Sequence, residues 1–116
     1  MTMSVRARFL LAAMLGAAIL AAQSAMPQMK SVDPMTAKPG DVLTVAGENL
    51  DKANIAEVYL TDGQHDYKAK ITEQSAETLK LVVPAAAKPG LLALMVLTKE
   101  KTPRLVEQPV KVTIEE

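Results

Sequence analysis

Short runs of alternating apolar and polar residues, separated by proline and glycine, make up most of the sequence after about residue 25. Successive side chains of a β-strand point to opposite faces, so this alternation predicts half-buried strands. The segment 78–83 is the clearest case, because Leu79, Leu81 and Val83 share one face. No segment after residue 25 has the apolar spacing of three and four residues that predicts a helix. We therefore expect an all-β protein.

Seven segments are predicted to be strands: 31–33, 42–46, 55–61, 67–73, 78–83, 91–98 and 104–114. Proline, Pro-Gly or Asp-Gly lies between most of them, and these sequences favour turns. Pro109 predicts a break or bulge in the last strand, because proline cannot donate to the hydrogen-bond ladder. Residues 26–30 show no pattern and are expected to be a tether. About seven short strands with turns between them are typical of a β-sandwich.

One face of these strands supplies the predicted core. The residues expected to point inward are Leu43, Val45, Val58, Leu60, Ile71, Leu79, Leu81, Val83, Leu92, Leu94, Val96, Val110, Val112 and Ile114. The motif A-K-P-G occurs twice, at 37–40 and 87–90, but the two copies diverge directly after glycine. We interpret them as two similar turns that lead into two core strands.

The beginning of the chain has the layout of a secretory signal peptide. Arg6 and Arg8 precede an apolar run at 9–22, and small residues follow. The run is shorter than the ~20 apolar residues of a membrane-spanning helix, which disfavours the alternative of a retained anchor.

Ala22 and Ser24 predict cleavage after Ser24 or Ala25. We therefore expect residues 1–25 to be a signal peptide and residues 26–116 to be one secreted domain, periplasmic or at the cell surface of a bacterium. Stable membrane insertion is not expected after cleavage.

Composition excludes several classes of function. Residues 26–116 carry 11 Lys and Arg against 13 Asp and Glu, since Arg6 and Arg8 belong to the leader. This balance argues against nucleic-acid binding, which requires a basic surface. The chain has no cysteine and a single histidine, His65, so thiol chemistry, cysteine zinc sites and paired-histidine sites are excluded.

The order and spacing of several short strings resemble a known family. The strings are S-V-D-P at 31–34, P-G at 39–40, L-T-V-A-G-E-N-L at 43–50, V-P at 83–84 and G-L-L-A-L-M-V at 90–96. Together they resemble the IPT/TIG domain over about residues 30–114. The resemblance implies an immunoglobulin-like sandwich with a structural or binding role, and it brings no catalytic motif. The DNA-contacting loops of the transcription-factor members are not recognisable in this sequence.

Two small sets of residues suggest a catalytic or metal-binding site. Asp62 and Asp66 flank His65 in one loop, an arrangement that superficially resembles a triad or metal site, but a solvated turn is the preferred interpretation. Met26, Met29 and Met35, together with His65, have the thioether and imidazole groups that suit Cu(I). A small periplasmic copper carrier is therefore the alternative function. We expect no enzyme activity and no cofactor.

The strand at 91–98 supplies the candidate interface. With Leu92, Leu94 and Val96 facing the core, its other side chains face outward and are apolar too, although outward residues of such strands are normally polar. We expect this strand to be central in its sheet, beside the strand that carries Tyr59. The hypothesis is an exposed strip of Tyr59, Met95 and Leu97 that meets a protein or glycan partner or a second copy. The alternative is that neighbouring side chains, such as the stems of Lys68 or Lys111, cover these atoms.

These observations predict a secreted, non-catalytic binding or scaffolding module with an immunoglobulin-like fold.

Overall fold

The computed structural model describes residues 25–116, and the predicted signal peptide lies almost entirely outside them. The strands are β1 Gln28–Asp33, β2 Thr36–Ala37, β3 Val42–Glu48, β4 Ile55–Thr61, β5 Asp66–Gln74, β6 Thr78–Val82, β7 Gly90–Thr98 and β8 Leu105–Ile114. Among these residues, no helix has the length and apolarity of a membrane span.

The strands form two packed layers that share β5. Their hydrogen-bonded order is β1-β3-β6-β5-β4-β7-β8-β2. The first half of β5, to Ala69, pairs with β4, and its second half, from Lys70, pairs with β6. The first sheet is therefore β1-β3-β6-β5 and the second is β5-β4-β7-β8-β2. The expected all-β, immunoglobulin-like architecture is confirmed, with eight strands in place of about seven.

The alternation of apolar residues places the core between the two sheets. Thirteen of the fourteen predicted inward residues are buried, and Ile71 is half-buried. Both A-K-P-G motifs lie at one end of the sandwich, where Ala37 and Gly90 pair with Ile114 from opposite sides. The two alanines that begin the motifs are buried, so these turns do lead into the core.

The prediction that residues 26–30 form a tether is wrong. Strand β1 begins at Gln28, and Met29 is only 1% exposed in the core. The ladder between β1 and β3 shifts register between Met29 and Ser31. Strict alternation places residues three apart on opposite faces, and this bulge is what lets Met29 and Val32 both point inward.

Two further irregularities shape the edge of the second sheet. Strand β2 has only two residues and pairs in parallel with the end of β8, so its pattern was too short to predict. The expected break at Pro109 is confirmed, since the β7–β8 register shifts between Ala93 and Met95. Across this step β8 passes from Lys111 to Glu107, so it carries two extra residues as a bulge.

Candidate functional site

The outer face of the second sheet brings the predicted interface residues together. Strand β7 lies between β4 and β8, as expected. Tyr59 of β4 is directly opposite Met95 of β7, and Leu97 is opposite Glu57. Tyr59, Met95 and Leu97 are all half-buried. They therefore form one continuous surface and are neither fully covered nor fully exposed.

Sequence reasoning missed a fourth member of this surface, Leu105. It lies opposite Leu97 at the start of β8, and its side chain is 54% exposed. The sequence did contain a signal for Leu105. Side chains two residues apart in a strand share a face, so Leu105 lies on the same outward face as Glu107. We call Tyr59, Met95, Leu97 and Leu105 the outer apolar patch.

Charged side chains border the patch on the β4–β5 side. The Tyr59 hydroxyl donates a hydrogen bond to Glu57 Oε2, and Lys68 Nζ lies 3.3 Å from Glu57 Oε1. Lys68 is also directly opposite Tyr59 in the ladder. Lys68, one of the two lysines named in the alternative, therefore borders Tyr59.

The same contacts shift two pKa values in opposite directions. The hydrogen bond from Tyr59, followed by that from Lys68, lowers the pKa of the Glu57 carboxyl. The hydrogen bond to Glu57, reinforced by partial desolvation, raises the pKa of Tyr59. A negative Glu57 and a neutral Tyr59 hydroxyl are therefore the stable pair at neutral pH, which fixes a donor–acceptor contact at the border of the patch.

The loop with His65 is a hydrogen-bonded turn at the end of β4. Asp62 Oδ1 accepts hydrogen bonds from the backbone N–H groups of Gln64, at 2.8 Å, and His65, at 2.6 Å. These bonds, and His65 Nδ1 at 3.3 Å from Asp62 Oδ2, lower the pKa of Asp62 to about 2. The side chains of both residues are exposed to solvent, and among residues 25–116 no cluster of three or more His, Cys, Asp or Glu could hold a metal.

The structure does not bring the candidate copper ligands together. The Met29 side chain is sealed in the core. The Met26 carbonyl accepts a hydrogen bond from Asn49, which follows β3, and the neighbouring Ala25 N–H donates to Asn54 at the start of β4. His65 lies beyond the opposite end of β4, roughly 20 Å away for a strand of this length.

Several solved structures of other proteins contain a region with a similar fold. The chain matches a Bacteroides thetaiotaomicron protein of unknown function with a TM-score of 0.65 and 20% identity, over 78% of this chain and 22% of that one. An auxiliary nutrient binding protein of the same species matches with a TM-score of 0.57 and 23% identity, over 78% and 21%. The SGBP-B protein of a Bacteroides ovatus mixed-linkage glucan utilization locus, in complex with a heptasaccharide, matches with a TM-score of 0.55 and 17% identity, over 78% and 22%.

The chain therefore spans about a fifth of the length of each of these proteins, and at such identities the likeness is one of fold. No curated protein matches the sequence significantly. The family model for the IPT/TIG domain matches residues 27–114, nearly all of the two-sheet sandwich. The chain belongs to the IPT/TIG domain family.

Proposed function

We propose that this chain is a non-catalytic recognition or scaffolding module that acts outside the cytoplasm. Its contact surface is the outer apolar patch, and its partner is a protein or a glycan. The observation that carries the proposal is the outward side of β7, where Met95 and Leu97 stand in place of the polar residues that a solvated sheet face normally shows.

The chemistry of the patch suits recognition. Tyrosine and methionine are both enriched at protein interfaces, and tyrosine brings a large contact area at low conformational cost. The Glu57–Lys68 pair beside Tyr59 adds hydrogen-bonding groups at the rim, as interfaces commonly have. Two of the similar structures belong to proteins named for nutrient binding or solved with a bound oligosaccharide, which supports binding as the general role.

The size of the patch favours a small or extended partner. It crosses three neighbouring strands, which span about 10 Å, whereas a stable complex buries about 800 Å² on each partner. A second copy of the chain would therefore need contacts beyond the patch. The predicted signal peptide supports a location in the periplasm or at the cell surface.

The proposal is tested by charge insertion at the patch. Met95→Lys and Leu97→Lys place a cation on the outward side of β7, and Val42→Lys is the matched control. Val42 is apolar, 49% exposed and on the outer side of β3 in the other sheet. Tagged proteins are used to capture partners from the envelope fraction of the source organism, followed by mass spectrometry and by glycan analysis.

We expect the parent protein and Val42→Lys to capture the same partner, and both β7 variants to lose it, while circular dichroism shows all of them folded. Equal capture by folded Met95→Lys and Leu97→Lys would show that the patch is not the contact surface. Bound copper in the parent protein, lost on chelation, would favour the metal-carrier alternative.

A further inference from the structure

A groove runs along the edge of the sandwich between β1 and β8, separate from the outer apolar patch. It consists of two cavities of about 560 Å³ and 590 Å³ that share Lys30, Pro109 and Val110. It extends from Met26 and Val106 to Leu91 and Thr113, so it follows most of the length of β8. We call it the seam groove.

The groove exists because one ladder of the second sheet stops early. Strand β2 pairs with the end of β8, where Thr113 N–H donates to Met35 O at 2.8 Å and Glu115 N–H donates to Ala37 O at 2.8 Å. Alternate N–H groups of a strand point to the same edge, so Lys111 N–H points to this edge too. Upstream of Pro34 the chain passes to the first sheet as β1, which runs close beside β8 without forming a backbone ladder with it.

Side chains close the bottom of the groove. The Gln108 side chain is 5% exposed, and its Oε1 accepts a hydrogen bond from Met29 N–H at 2.7 Å. Its Nε2 donates to Pro27 O at 3.5 Å, so one amide joins the two strands where no backbone ladder does. Val32 and Val110 are buried beside it. The groove is therefore a surface channel with a closed floor, lined mostly by apolar side chains.

The walls combine exposed apolar side chains with positive charge. Met26, Met35 and Leu91 are 39%, 70% and 60% exposed, and they are three of the five large apolar residues exposed in the described part of the chain. The charged residues that line the groove are Lys30 and Lys111. Lys30 pairs with Glu48 at 2.9 Å, whereas within residues 25–116 no carboxylate lies within 4.0 Å of the Lys111 ammonium.

This local positive charge contrasts with the domain as a whole. Residues 25–116 carry 11 Lys and Arg against 13 Asp and Glu, so an acidic domain presents a groove whose lining charges are both cationic. Complementary charge steers ligands and selects among them. The ligand should therefore have apolar groups for the walls and an anionic group for Lys111.

We propose that the seam groove binds an extended acidic peptide segment that lies alongside β8. The groove follows β8 for most of its length, so an extended segment can lie along it and place alternate side chains against its walls. Pro109 has no N–H and β1 runs close beside β8, so a continuous backbone ladder with β8 is not available there. Binding therefore rests mainly on apolar side chains against Met26 and Met35 and on carboxylates against Lys111.

The test uses a fluorescent hexapeptide of alternating valine and glutamate, with a peptide of alternating valine and lysine as its counterpart. Binding is measured by anisotropy with the parent protein and with Lys111→Glu, Met35→Glu and Lys70→Glu. Lys70 is the matched charge control, because β5 is three strands away from both β1 and β8 in the sheet order. Both Lys70 and Met35 are exposed, so these variants should fold.

We expect the acidic peptide to bind at least tenfold more tightly than the basic one. Lys111→Glu should weaken binding about fivefold, since it removes one exposed ion pair and adds a repulsion. Met35→Glu should weaken it at least as much, and Lys70→Glu should not change it.

Equal affinity for the two peptides, or equal loss in Lys70→Glu and Lys111→Glu, would overturn the proposal. Binding to vesicles of phosphatidylglycerol without binding to the acidic peptide would overturn it too, in favour of an anionic lipid surface. Because Met95 and Leu97 lie outside the groove, peptide binding that survives Met95→Lys separates this surface from the outer apolar patch.

Discussion

Strands β6 and β7 occupy similar places in the two sheets but differ on their outward sides. Both lie between two other strands and both point leucines into the core. Outward, β6 presents Lys80, which pairs with Glu73 at 3.4 Å, whereas β7 presents Met95 and Leu97. The comparison indicates that the outward side of a central strand can be charged or apolar in this fold, and we expect stability to depend mainly on the inward side. The apolar outward side of β7 is the part that we propose serves recognition.

The strongest test of this comparison separates the two sides of β7. Leu94 is fully buried and Leu97 is half-buried on the opposite face. We expect Leu94→Ala to lower the free energy of unfolding by about 2–5 kcal/mol, because it leaves a cavity in the core. Leu97→Ala should lower it by about 1 kcal/mol or less. Urea unfolding of both variants measures the difference, and equal losses would show that the fold also needs the outward side.

A second test concerns how the two sheets are joined at the seam groove. Gln108→Ala removes the amide between β1 and β8 and leaves the buried Met29 N–H without a partner. The free energy of unfolding should fall by about 1–3 kcal/mol. Gln28→Ala is the control on β1, since that side chain is exposed and its loss should cost less than about 0.5 kcal/mol. If both variants unfold at the parent's urea midpoint, the amide does not join the sheets.

A third test compares the charged borders of the two outer faces. Glu57→Gln removes the acceptor charge that raises the pKa of Tyr59, so this pKa should move down towards its ordinary value. Glu73→Gln makes the same change on the first sheet and should leave Tyr59 as it is. Alkaline titration of tyrosine absorbance measures both.

The sign of the accompanying stability change follows from the raised pKa of Tyr59. The folded state holds this proton more tightly than the unfolded state, so the contribution is fully present below the ordinary value of 10.0 and is lost as pH rises through the folded pKa. Glu57→Gln should make this alkaline loss smaller. A steeper loss in the variant would contradict the assigned hydrogen bond.

The smallest effect is expected at the turn that ends β4. The pKa of Asp62 is lowered from 3.8 to about 2 by the N–H groups of His65 and Gln64. A lowered pKa contributes stability above 3.8, and that contribution is lost as pH falls towards about 2. As pH is lowered over this range, the urea midpoint of Asp62→Ala should therefore fall less steeply than that of the parent protein. Identical acid profiles of variant and parent would show that the turn contributes nothing to stability.

Much of the fold and part of the site could be predicted from the sequence. The alternation in 78–83 and 91–98 identified buried strands, and Pro109 marked a bulge, because side-chain direction and proline geometry are local properties of a strand. The same alternation placed Tyr59, Met95 and Leu97 on outward positions of adjacent strands. Their role as an interface stays a prediction.

What the sequence determined by itself was the strand pattern, the turns and the family, all of which depend on neighbours along the chain. Only the tertiary structure decided that Met29 is a core residue, because a bulge reverses its direction, and that Leu105 completes the patch. It alone placed the Gln108 amide between two strands about 80 residues apart and opened the seam groove beside it. These features depend on register and on contacts between strands distant in sequence, which local patterns do not encode.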